Sequence, residues 1–396
     1  MFRANFQRSG IYNTTGIRQL KGLKWKIARS NISFILDFGL VLADRTLCLG
    51  NWDGNVYALD FETGREVWKY KVGENFPFNT NFFNCSTVAD GTVYLSSFAI
   101  GQNIEILKAI DLSTGREKWQ FETKIQPVNA SNNYFSAVSV AVANGIVYFG
   151  SGDGNLYSID AVSGDRLGYF RTTKNMPLSH PAIKDNLICV YSNDGYLYAI
   201  DTETQQQRWK FEIGGIASGY SIIPAIANNK VYVLVNNTVL YALDLETGVE
   251  LWDFTLGKAN FSQPAISDRF VCLTNNNKEL YALDPENGEM IWKLPVKNTL
   301  SYFPSSGPVI ANNIIYLSGM GCLQAIDLET KNKLWEFKPE STDFLQPKFW
   351  LDLGSETWQA FTGDYPSLDF FSTPIVADGT IYFGSAYGYL YALEAV

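Results

Sequence analysis

One histidine, five scattered cysteines and the lack of any long apolar run are the scarcest features of this sequence, and each shortage removes a class of function. The cysteines at 48, 85, 189, 272 and 322 include no adjacent pair and no Cys-x-x-Cys. Neither a zinc site nor a dithiol redox centre is expected, and no metal. No stretch approaches the ~18 apolar residues of a membrane-spanning helix, and the opening MFRANFQRSG lacks the apolar centre of a signal peptide. The chain as given is therefore expected to be soluble, periplasmic or exported if a signal has been removed and cytoplasmic otherwise. Lysine and arginine form no cluster and the net charge is -9, so no field is available to neutralise phosphates and nucleic acid is not an expected partner. GxSxG, P-loop and HExxH motifs are absent, and no segment sustains the 3.6-residue apolar period of a helix.

What the sequence has instead is aromatic residues and repetition. Aromatics make up 15% of the chain, with 22 Tyr and 26 Phe, a composition suited to β-rich packing. The phrase x-L/I-Y-A-L/I-D-x-x-T-G-x-x-x-W recurs, closing at Trp68, Trp119, Gly168 (in place of Trp), Trp209, Trp252, Trp292 and Trp335, and stopping short in the final LYALEAV. Its acidic landmarks are Asp60, Asp111, Asp160, Asp201, Asp244, Asp284, Asp327 and Glu394. Each unit reads as four short strands; in the unit ending near Trp292 they are SQPAI, FVCLTN, ELYALD and MIWKLP, parted by turn-forming residues. Four strands in about 40 residues is the spacing of a propeller blade. The predicted fold is all-β, an eight-bladed β-propeller of four-stranded antiparallel blades forming a single domain over 1–396.

The last blade ends one strand short, and residues 20–27, LKGLKWKI, carry Trp25 in the context of a fourth strand. The N-terminal strand is therefore expected to complete the last blade and so close the ring against edge pairing. Cys48, Cys189 and Cys272 fall where other units have Tyr94, Tyr148, Tyr316 and Tyr382, which makes them equivalent core positions too far apart to bond. Two departures stand out: Gly168 replaces the repeat tryptophan, and Gln205, Lys331 and Lys21 replace the turn glycine.

The recurring Asp, Gly and Trp resemble the tryptophan-docking repeat of the quinoprotein-type (PQQ-repeat) propellers, which include PQQ-dependent dehydrogenases and BamB-type outer-membrane assembly lipoproteins. The resemblance covers residues 20 to 396. It implies the propeller fold; members with quinone chemistry combine a vicinal disulfide, a calcium site and a catalytic Asp. Here no cysteines are adjacent, the recurrent Asp residues belong to the turn motif, and no lipobox cysteine stands near the start. No cofactor is expected.

Insertions lie mostly between a fourth strand and the next first strand, at 73–84, 123–134 and 338–371, and with loop 295–303 these should decorate one face. The segment 338–371 is rich in aromatics beside acids; it either caps its own propeller or walls a ligand pocket. The candidate ligand-binding residues are His180, Gln263, Trp350, Trp358, Tyr365, Asp364, Tyr302 and Tyr134. Ser179, Ser262, Ser306 and Ser372 are expected near the same mouth. The Asp-Gly pairs at 53, 153 and 194 read as hairpin turns. Three functions follow in order: a non-catalytic binding or assembly protein holding a protein or small ligand on the loop face, a cofactor-independent enzyme with a pocket under 338–371 and His180 as base, and a PQQ-dependent oxidoreductase. A monomer is expected.

Overall fold

The computed structural model describes residues 5, 7–28, 40–50, 54–72, 81–99, 103–125, 140–173, 176–214, 222–255, 261–296, 307–319, 321–339, 372–385 and 389–396. They form eight antiparallel blades of four strands. Blade 1 runs from Leu40–Ala43 to Glu66–Lys71, blade 4 from Ala182–Lys184 to Gln207–Glu212, and blade 7 from Val309–Ala311 to Lys333–Phe337. Blade 8 takes three strands from the C-terminus and its fourth, Leu20–Ala28, from the N-terminus, paired antiparallel with Tyr389–Ala395. The closing strand stands where the repeat count requires it.

Burial explains the strand types. Second strands such as Leu187–Ser192 and Lys230–Val235 are buried along their whole length, because neighbouring blades cover both of their faces. Fourth strands such as Gln207–Glu212 and Glu250–Thr255 are mostly exposed but bury their tryptophan. Among the described residues, eight clusters of buried apolar side chains each join two neighbouring blades, the last linking Tyr382 and Leu390 of blade 8 to Leu47 and Tyr57 of blade 1. The ring is closed by apolar packing all the way round.

The repeat motif builds the seams. The Asp carboxylate of each turn accepts the backbone N–H groups that follow it, as Asp60 does from Thr63 at 2.8 Å and Asp244 from Thr247 at 2.8 Å. The turn glycine then lies under the tryptophan of the preceding blade: a Cβ on Gly248, at φ +70°, would come within 2.5 Å of Trp209. That tryptophan donates its Nε1–H to the carbonyl after the next blade's Asp, as in Trp68 to Leu112 at 2.7 Å and Trp209 to Leu245 at 2.9 Å. Trp335 has no such turn in blade 8, and Ile17 of the N-terminal segment supplies the carbonyl at 2.8 Å.

Two departures from the motif compensate each other. Gln205 occupies a turn-glycine position at φ +56°, and its side chain fills the place of the tryptophan missing at Gly168, where a Cβ would lie 2.0 Å from Gln205 Oε1. At Lys331, φ +62°, the ammonium stands 6.0 Å from the Trp292 ring. Cys48, Cys189 and Cys272 pair across strands with Ala58, Ala199 and Ala282, as Tyr94, Tyr316 and Tyr382 pair with Ala109, Ala325 and Ala392. They are the same core position, and their thiols are free and buried.

Candidate functional site

Because strands alternate in direction, the connections between blades and the turns between second and third strands emerge on one face, while the Asp-x-x-Thr-Gly turns lie on the other. Trp350, Trp358, Tyr365, Asp364, Tyr302, Tyr134 and Ser306 lie outside the described residues. His180, Gln263, Ser179, Ser262 and Ser372 lie within them, at the entry to first strands.

These positions share the pattern Ser-x-Pro, whose members split into two roles. Each serine is tied to the second strand: Ser179 Oγ accepts Tyr191 N–H at 3.0 Å, Ser262 Oγ accepts Thr274 N–H at 3.1 Å and Ser372 Oγ accepts Gly384 N–H at 2.9 Å. The serines therefore brace the blade. The residue between Ser and Pro is His180, Gln263 or Thr373. His180 and Gln263 are buried.

First strands of neighbouring blades approach one another, as those of blades 3 and 4 and of blades 4 and 5 do, so they are innermost and surround the axis. The axis carries part of the chain itself. Residues 7–12 lie along it: Gln7 O accepts Ile226 N–H of blade 5 at 2.7 Å, Ser9 O accepts Ile266 N–H of blade 6 at 2.9 Å, and Gly10 O accepts Ile310 N–H of blade 7 at 2.9 Å. Ile11 and Tyr12 then pair in parallel with Ile310 and Ala311. From the same segment the Arg8 guanidinium, 3% exposed, reaches across to donate to Pro181 O at 2.7 Å and Val140 O at 3.5 Å.

Burial, with Arg8 second, sets the chemistry of His180. Burial, and then the charge of Arg8, lower the imidazole to about 3. Arginine stays charged at all accessible pH, so His180 is neutral throughout the neutral range and is a weak base there. On the loop face the Asp194 carboxylate accepts Tyr198 OH at 2.6 Å and Asp153 accepts Asn155 N–H at 2.9 Å, each within a turn carrying a left-handed glycine, Gly195 or Gly154. The repeat gave no notice of Gln7, Arg8, Ser9 and Gly10, which stand ahead of its first unit.

An eight-bladed ring seamed by docked tryptophans defines a tryptophan-docking propeller, here with part of its own N-terminal segment bonded to the innermost strands. The chain belongs to the family described as outer membrane protein assembly factor BamB, whose model matches residues 22–177 and 171–395. It is 27% identical over 173 residues to the dehydrogenase subunit of the quinone alcohol dehydrogenase of Gluconobacter oxydans, 39% of this chain and 22% of that protein. It is 24% identical over 110 residues to the outer membrane protein assembly factor BamB of Yersinia pestis, 27% of this chain and 28% of that one. The matched stretches thus span less than a third of these relatives. Among solved structures it is similar to BamB from Moraxella catarrhalis, with a TM-score of 0.62, 15% identity and coverage of 93% of this chain and 100% of that one. A europium-containing methanol dehydrogenase has a TM-score of 0.66 at 13% identity, covering 100% and 97%. At these identities the structural likeness is one of fold.

Proposed function

We propose that this chain is a non-catalytic binding or assembly protein that holds a protein or small ligand on its inter-blade loop face. The observation that carries this reading is the N-terminal segment laid against the innermost strands: Gln7, Ser9 and Gly10 take the N–H groups of Ile226, Ile266 and Ile310, and Arg8 takes the carbonyls of Pro181 and Val140. Binding is then assigned to the face from which the connections between blades leave, and Trp350, Trp358, Asp364 and Tyr365 are the residues of one such connection to be tested. The relatives named as assembly factors support a protein as the partner.

Quinone chemistry fits these residues poorly. The sequence has no vicinal cysteine pair. The turn carboxylates of Asp60, Asp201 and Asp244 are occupied by backbone and hydroxyl donors, and Arg8, a natural partner for a quinone carboxylate, is spent on carbonyls. Photo-crosslinking residues placed at 350 and 358, and for contrast at 63 and 247 among the Thr-Gly turns, test the face. Adducts to one partner from 350 and 358 alone are expected, and adducts from 63 and 247 alone would refute the assignment. Added pyrroloquinoline quinone with calcium should leave the melting temperature unchanged, since any tight ligand of the folded state must raise it.

A further inference from the structure

A first strand is the inner edge of its blade, so the N–H and C=O groups it turns to the axis find no partner inside the blade. Ile226, Ile266 and Ile310 are equivalent residues of three successive first strands, and their N–H groups reach Gln7, Ser9 and Gly10 in turn. One donor per blade meets a backbone carbonyl of the segment laid across the ring, and only at Ile11 and Tyr12 does this become strand pairing.

The occupant is shaped for the place. Asn5 ties the start of the segment, its side chain donating to Ser9 Oγ at 2.7 Å and accepting Ser9 N–H at 3.1 Å. Arg8 and Gly10 are left-handed, at φ +59° and +73°, and this carries the guanidinium to blades 3 and 4 while the carbonyls face blades 5 to 7. Small residues follow the arginine because Ser9 is buried between blades. Further on, a Cβ at Gly16 would stand 2.5 Å from Ala311 O. Yet only Ile11 and Tyr12 form ladder pairs, whereas the blade-closing strand pairs along Leu20–Ala28.

We propose that the ring axis is a binding site for a peptide that turns at an arginine followed by small residues, and that residues 7–12 are its resident occupant in cis, replaceable by a like peptide in trans. The inference shares with the loop-face assignment the observation of residues 7–12 at the axis, and the two are tested apart: crosslinking from positions 350 and 358 reads the one, and peptide binding and amide exchange at the first strands read the other.

The test uses the full-length chain and a fluorescein-labelled peptide of residues 5–18, NFQRSGIYNTTGIR. Wild type, Arg8→Ala and Gly10→Val are titrated by anisotropy. Arg8→Ala removes charge-assisted hydrogen bonds from the cis segment and Gly10→Val forces a branched residue to a left-handed φ. Each should bind the peptide at least ~10-fold more tightly than wild type, and a peptide carrying Arg8→Ala should bind none of them. Hydrogen exchange on the wild-type chain is the measurement that needs no variant. The Ile226, Ile266 and Ile310 amides should exchange before those of the second strands, and added peptide should slow them. Variants that keep the wild-type circular dichroism and melting temperature yet ignore the peptide would overturn the proposal. So would wild-type amides that exchange only with the second strands and do not respond to peptide.

Discussion

Replacing His180 by glutamine turns the axis into a pH measurement. In the unfolded chain the imidazole titrates near 6.5, whereas in the fold burial and the charge of Arg8 keep it neutral down to about 3. A pKa lowered by folding means stability that is complete above 6.5 and is lost as the pH falls toward 3. At pH 5 the unfolded chain has taken up nearly a whole proton that the folded chain refuses, which favours unfolding by about 2 kcal/mol relative to pH 7. That size is set by the unfolded value, and any folded value below about 4 gives nearly the same result. Carboxylates held low by hydrogen bonds, Asp201 by the Thr204 N–H of its turn and Glu279 by Tyr281, Lys293 and Asn275, both at about 2, lose most of their contribution only below the ordinary carboxylate range near 4, outside this window. Urea unfolding of wild type and His180→Gln at pH 7 and pH 5 is the assay. Wild type should lose about 2 kcal/mol more than the variant over that interval. Equal losses in the two proteins would show that His180 is not sheltered beside Arg8.

The seams offer two further predictions. Gly248→Ala, at φ +70° with its Cβ 2.5 Å from Trp209, should cost about 3 kcal/mol, whereas Gly91→Ala, at φ +66° with open space around it, should cost about 1 kcal/mol in the same urea assay. Gly168→Trp alone should destabilise, because its Cβ would meet Gln205 Oε1, but together with Gln205→Gly it should regain at least about 1 kcal/mol of coupling as the tryptophan slot is restored.

The blades were legible because a ring of like units repeats its local physics. The Asp that caps its own turn, the glycine that yields room and the tryptophan that docks on it recur at a fixed spacing, and each needs only its neighbour to be explained. Even the exceptions at Gly168 and Gln205 stood out as departures, although that the two fill one slot could be learned only from the geometry that brings residue 168 of one blade against residue 205 of the next. The closing strand was legible for the same reason: a missing fourth strand at one end matched a lone Trp25 at the other.

The axis was not legible, and the reason is physical. Residues 7–12 are held by backbone carbonyls bonding to the N–H groups of Ile226, Ile266 and Ile310, and a carbonyl is the same in every residue, so no side-chain pattern records the contact. Arg8 could have been noticed only as an isolated cation in a small-residue stretch, which in most sequences marks a solvated loop. What Ser179, Ser262 and Ser372 do was illegible in a related way. An oxygen that braces a neighbouring strand and one that faces a ligand are the same residue type, and only the register of the second strand, at Tyr191, Thr274 and Gly384, tells them apart. Repetition therefore reveals the wall of a propeller more readily than what fills it. The segment at the axis meets blades 5 and 6 through one backbone bond each, and a contact made once leaves no period to find.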